Sequence, residues 1–188
     1  MEPANADYYL AMGGEYEAVE AYDQAIAQYE TVSALTPESV SGDYQQGRLY
    51  CRIERYDEGI AAFQRALEID PSHYWSHLLL AQCYLDHGDY ARAVGEYEAA
   101  IEVNPEQANA YFLLGEAHLS QGYFQRALEP YQRAVELSPD WKEAHLRLGT
   151  TYLNLGDCTS AKARFDHVMR LDSSNALAQE GIAACSGH

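Results

Sequence analysis

From residue 39 onward, apolar and small residues recur three and four positions apart in paired blocks, the spacing that puts them on one face of a helix. The blocks predict helices over 39–53 and 56–69, 73–86 and 90–103, 107–120 and 124–137, 141–154 and 158–171, and a last short one near 175–184. Pro37, Pro71, Pro105 and Pro139 stand 34 residues apart and close successive second helices. Ser39 or Ser41 supplies the first cap after Pro37. A fixed period of this size marks a stacked repeat, in which each helix pair buries its apolar face on its neighbours.

Within each pair the large and small positions recur in register. Gly47, Ala81, Gly115 and Gly149 occupy one position of the first helices, with Tyr50, Tyr84, His118 and Tyr152 three residues later. Gly59, Ala93, Ala127 and Ala161 are the small contacts of the second helices, and Phe63, Tyr97, Tyr131 and Phe165 their bulky knobs. Ala66, Ala100, Ala134 and Val168 complete that face. Gly88, Gly122 and Gly156 mark the turns, where positive φ costs glycine little.

The first 36 residues fit less well. Residues 1–4 are expected to be loose. YLAMG at 9–13 parallels YLDHG at 84–88, and Ala18, Tyr22 and Ala25 then parallel Ala93, Tyr97 and Ala100. That alignment predicts a shortened first helix over Asn5–Met12, a turn at Gly13–Gly14, and a second helix over Glu15–Leu35. The second helix would exceed its counterparts by about two turns at 3.6 residues each and project from the stack.

The phased motifs resemble the tetratricopeptide repeat, a 34-residue helix–turn–helix unit, over residues 5–184. Departures are local. His77, Tyr111 and His145 stand where the pattern has Trp, Ser173 takes the place of the next proline, and Glu54 that of a turn glycine. Pro130 falls inside a second helix, where its ring crowds the carbonyl of Arg126 and a bend is expected. The resemblance implies an all-α, right-handed superhelical solenoid of antiparallel helix pairs, with about four and a half repeats plus a C-terminal capping helix. As a single domain it divides into an irregular unit (5–37), repeats at 40–73, 74–107, 108–141 and 142–175, and the cap at 176–184.

The resemblance also implies that the first helices line a concave groove that holds a peptide or helix of a partner protein. By repeat phase the lining comprises Tyr44, Arg48 and Arg52, then Trp75, Leu78, Leu79 and Gln82, then Asn109, Phe112, Leu113 and Glu116, then Glu143, Arg147 and Thr150. Leu78, Phe112 and Leu146 are expected to be partly packed between helices. The middle of this groove is apolar and arginines stand toward its ends, which suits a segment with apolar anchors and acidic flanks. Trp75 is the focus, with packing on the neighbouring pair as its alternative. Relatives that hold chaperone tails use a clamp of Lys, Arg and Asn. The matching places here are Tyr44, Arg48, Leu79, Asn109 and Leu113, so that ligand is disfavoured.

Composition narrows the partners. The formal charge is −17, from 29 acids and 12 bases, and nine acids precede the first base at Arg48. Nucleic acid and anionic lipid are therefore poor partners, and the acid-rich surface reads as solvation or as a dock for a basic partner. No run reaches the ~18 apolar residues of a membrane span, so no membrane insertion is expected. MEPANADYYL lacks the basic start and apolar core of a signal peptide. Cys51, Cys83, Cys158 and Cys185 show no close pairing and read as free, mostly packed thiols of a reducing compartment. The expected location is cytoplasmic, with the periplasm as the alternative had a leader been removed.

Candidate chemistry is thin. His73 and His77 are four apart and could share a metal on a helix, but no third ligand is evident, so packing and capping are expected instead. Neither GxSxG nor GxxxxGK[ST] occurs. The reading is a non-catalytic adaptor or assembly factor without cofactor or metal. Its alternative is a self-associating scaffold whose long N-terminal helix docks on a second copy, as a homo-oligomer.

Overall fold

A computed structural model describes the backbone of residues 5–186 and the side chains of 5–185. The expectation for residues 1–4 lies outside the described residues. Two compact units make up the chain, Met1–Val103 and Asn104–His188. Among the described residues every regular element is an α-helix. The first unit holds α1 (Ala6–Ala18), α2 (Tyr22–Leu35), α3 (Ser41–Arg52), α4 (Tyr56–Ile69), α5 (Tyr74–Asp86) and α6 (Tyr90–Val103). The second holds α7 (Ala108–Ser120), α8 (Phe124–Leu137), α9 (Lys142–Asn154), α10 (Cys158–Leu171) and α11 (Ala176–Ser186).

From residue 39 the helices start and stop within about two residues of the pattern, the ordinary scatter of helix ends. The stops have local causes. Asp70, Asn104 and Asp172 each precede the position of the 34-residue proline repeat and accept the N–H two residues on, from Ser72, Glu106 and Ser174. This side-chain turn survives where Ser173 replaces proline, because Asp172 and not the ring makes it. His73 caps α5 by accepting the N–H of Ser76 at 3.2 Å, as expected of it. Helix α8 runs through Pro130, which is buried.

The first pair departs from the expectation. Gly13 and Gly14 lie inside α1, a full 13-residue helix, and α2 has 14 residues. No long helix spans Glu15–Leu35; the chain turns at Val19–Ala21, where Glu20 takes φ +58°. The positive-φ residues Glu20, Glu54, Gly88, Gly122 and Gly156 are 34 apart, so the first pair keeps the same period as the rest. The projecting helix on which self-association rested is absent.

The core repeats one contact. Tyr29, Phe63, Tyr97, Tyr131 and Phe165 are each 2% exposed or less. Each aromatic ring comes from a second helix. Four of them press on a glycine of the paired first helix, and a Cβ there would approach the ring to 2.3 Å at Gly13, 2.8 Å at Gly47, 2.6 Å at Gly115 and 2.7 Å at Gly149. Real Cβ atoms do not come so close, which is why this position accepts only small residues.

Two of the cysteines correct the sequence reading. Cys51 of α3 and Cys83 of α5 form a disulfide, while Cys158 and Cys185 are free. Gly59 makes room for the bond, since a Cβ there would lie 2.3 Å from Cys51 Sγ. The bond joins the first helices of successive pairs, which also touch directly.

Candidate functional site

The lining positions named by repeat phase fall on α3 and α5 in the first unit and on α7 and α9 in the second. In the first unit the organising group is Glu17, near the end of α1, with a side chain only 7% exposed. Its Oε1 accepts the Tyr29 hydroxyl at 2.6 Å and pairs with Arg48, and its Oε2 pairs with Arg52 at 2.9 Å. Arg48 also donates Nε–H to Gln45 at 2.8 Å. The Arg52 guanidinium lies 5.3 Å from the Tyr22 ring centre. Two guanidiniums thus share one buried carboxylate, leaving a net positive charge with unused donors in a strongly acidic chain. Burial, and then Glu17, push the Tyr29 phenol well above its ordinary range.

On α5, Trp75, Leu79 and Gln82 form a strip at i, i+4 and i+7, one helix face. Trp75 is 53% exposed and meets Tyr74 edge-on at 5.1 Å between ring centres. An indole this open contributes little to the core. Leu79 is half-buried and Leu78 buried. Gln82 accepts the Tyr97 hydroxyl at 3.1 Å and donates to Asp86 at 2.8 Å. Tyr44 packs edge-on against Phe63 and His73.

The second unit repeats parts of this arrangement with the opposite charge balance. Glu116 of α7 accepts the Tyr131 hydroxyl and pairs with Arg147 Nε at 3.1 Å, and Glu143 meets the same Nε at 3.1 Å. One arginine stands against two carboxylates here. Arg147 is therefore internally committed, and the arginines expected to receive acidic flanks are uneven: an excess at Arg48 and Arg52, none at Arg147. Phe112 lies 5.7 Å from the Tyr131 ring and 4.6 Å from that of Trp141, so it is packed, as expected of it. Leu113 is half-buried and Asn109 exposed. A cleft of about 350 Å³ follows, lined by Glu143, Leu146, Arg147 and Thr150 of α9 and by Leu177 and Glu180 of α11.

Two features escaped the sequence reading. Glu17 was hidden by the mis-phased first pair, although its turn, Glu20, stands 34 residues before Glu54. The α11 wall of the cleft was read only as a cap. The histidine pair is spent structurally. His73 serves as the α5 cap, and His77 pairs through Nδ1 with Glu96 at 2.7 Å and donates Nε2–H to the Pro71 carbonyl at 3.0 Å. Among the described residues no group of three or more His, Cys, Asp or Glu is placed to hold a metal. No helix among them is long and apolar enough to cross a membrane.

Comparison with known proteins bears on this arrangement. The tetratricopeptide repeat family matches over residues 78–140 and again over residues 54–94. No curated protein matches by sequence. Among solved structures, a MamA protein superposes with TM-score 0.79 at 22% identity, covering 91% of this chain and 93% of that one. MamA from Desulfovibrio magneticus RS-1 gives 0.78 at 23% identity, covering 91% and 97%. YrrB, a TPR protein with an unusual peptide-binding site, gives 0.74 at 21% identity, covering 94% and 91%.

Proposed function

This chain is a tetratricopeptide-repeat protein, and from that premise we propose that it is a non-catalytic protein-interaction module whose first unit holds a segment of a partner polypeptide. The observation that carries this reading is the exposed Trp75 on the strip it shares with Leu79, in a unit where two half-exposed arginines share the one carboxylate of Glu17. An indole supplies a large apolar contact at low entropic cost, and guanidiniums with spare donors receive a carboxylate. The segment that fits has an apolar side chain near an Asp, a Glu or a terminal carboxylate. Among similar structures, YrrB has a peptide-binding site, which supports a peptide as the ligand. The Cys51–Cys83 bond supports an oxidising compartment as its place of work, hence the periplasmic alternative over the cytoplasmic one.

A random peptide library selected on the immobilised protein tests the reading. Selected peptides are expected to pair an aromatic or aliphatic residue with a nearby acid. Trp75→Ala and Arg52→Ala should each weaken them at least about tenfold, roughly 1.4 kcal/mol, with unchanged far-ultraviolet circular dichroism. Wild-type binding by both variants would overturn it.

A further inference from the structure

Cys158 and Cys185 have no part in the face described above, yet the fold brings them together from 27 positions apart (185 − 158). Cys158 opens α10 directly after its cap, Asp157, and Cys185 lies near the end of α11. The Cys158 side chain is a close neighbour of the Cys185 thiol. Both residues border one surface cleft of about 500 Å³, whose other lining residues are Thr159, Lys162, Ala163 and Asp166. A cleft of this size admits a small molecule. Both are only partly buried, Cys185 at the edge of the cluster around Phe165.

We propose that Cys158 and Cys185 form a redox-reactive dithiol site that takes low-molecular-weight disulfides as its substrate and closes to a second cystine, clamping α11 onto α10. Partial burial, and then the neighbouring Cys158 sulfur, hold the Cys185 thiol above the ordinary thiol range; in the proposed order Cys158 attacks first. Its thiolate attacks one sulfur of RS–SR; the Cys158–SR bond forms as the RS–SR bond breaks, and the expelled RS⁻ takes a proton from water. Cys185 then gives its proton to solvent base, attacks the Cys158 sulfur and expels the second RS⁻. The balance is one protein dithiol and one RS–SR giving one protein cystine and two RSH, with the small disulfide as the oxidant.

The clamp has a structural consequence. Helix α11 is held to α10 by apolar contact: Ala178 is buried with Phe165 and Val168, and Gly181 lies against the Phe165 ring. A covalent tie at residue 185 restrains the far end of that helix, and with it Leu177 and Glu180 on the wall of the 350 Å³ cleft. Opening of α11 should slow when the bond forms, since a cross-link limits local unfolding.

The experiment uses the full chain and oxidised glutathione. After exposure, intact-mass analysis is expected to show the loss of two hydrogens and no retained glutathione, and peptide mapping a Cys158–Cys185 link. Both free thiols should be lost to thiol titration, and the amides of α11 should exchange more slowly. Cys185→Ser should instead retain one glutathione, on Cys158. Two stable glutathione adducts on the wild-type chain, or two thiols still titrating after treatment, would overturn the proposal. Circular dichroism of the serine variant, expected to match wild type, separates lost chemistry from lost fold.

Discussion

Tyr29 donates its hydroxyl to Glu17 across the first helix pair at 2.6 Å. In the later pairs the same hydroxyl is received fifteen residues upstream, by Gln82 from Tyr97 and by Glu116 from Tyr131. The first pair has Gly14 at that place, and Glu17, one turn on, replaces it. Phe63 and Phe165 carry no hydroxyl, and Arg48 and Thr150 stand at the matching positions. Tyr29, Tyr97 and Tyr131 thus each have an acceptor on the paired helix. Glu17→Ala would leave this hydroxyl and two guanidiniums without their partner. It is expected to cost about 2–4 kcal/mol in urea unfolding, and Tyr29→Phe about 1 kcal/mol. An Ala variant as stable as wild type would show that Glu17 does not hold the pair.

Gly115 and Gly95 predict opposite signs for the same substitution. At Gly115 a Cβ would meet the Tyr131 ring at 2.6 Å, and that ring is fully buried. Gly115→Ala is expected to destabilise by about 1–3 kcal/mol through overpacking. At Gly95, exposed on α6, nothing lies within 4 Å. Gly95→Ala is expected to stabilise by roughly 0.5–1 kcal/mol, from backbone entropy alone. Thermal unfolding of the two variants reads both signs.

Two histidines give stability opposite pH slopes. His145, 3% exposed, donates Nε2–H to the Pro139 carbonyl at 2.8 Å and stacks on His167 at 4.1 Å. Its Nδ1 is buried without a hydrogen-bond partner. Burial chiefly lowers its pKa; His167 and Arg164 add to the fall, against the Pro139 carbonyl and Asp140. The unfolded chain therefore takes the proton first. The contribution is complete above about pH 6.5, the unperturbed value, and is lost as pH falls from there through the lowered folded value. His77 is raised, chiefly by its hydrogen bond to Glu96. Its contribution is complete below about pH 6.5 and is lost as pH rises through the raised folded value. Urea midpoints against pH should show His145→Leu flattening the acid side and His77→Gln the neutral side.

The Cys51–Cys83 bond joins residues 32 apart. Cross-linking a loop of that length restrains the unfolded chain by about 3–4 kcal/mol. Reduction, or the pair Cys51→Ala with Cys83→Ala, should lower the unfolding midpoint of the first unit by a corresponding amount. Equal midpoints before and after reduction would count against a stabilising bond.

The helix limits after residue 39 were legible because their causes are local: a proline or an Asx turn at the end, a glycine at the tight turn, a small residue facing a ring. The first pair was misread because its turn lacks glycine while its helix contains two. Gly13–Gly14 looked like a turn, but Gly13 is small because Tyr29 fills the space above it. Glu20 and Glu54 hold φ of +58° and +63° without glycine's freedom, so neither advertises itself. The period held the answer, since Gly13 precedes Gly47 by 34 residues and Pro3 precedes Pro37 by the same step.

From residue 39 on, the sequence determined the repeat and the phase of its knobs and small residues, because a 3.6-residue helix and a 34-residue period leave each position little choice of face. Only the tertiary structure decided which groups meet. Glu17 reaches Arg48 and Arg52 across two helices, and Cys51 reaches Cys83 between successive first helices. These contacts depend on where neighbouring helices pass one another, a distance that packing sets and spacing along the chain does not record.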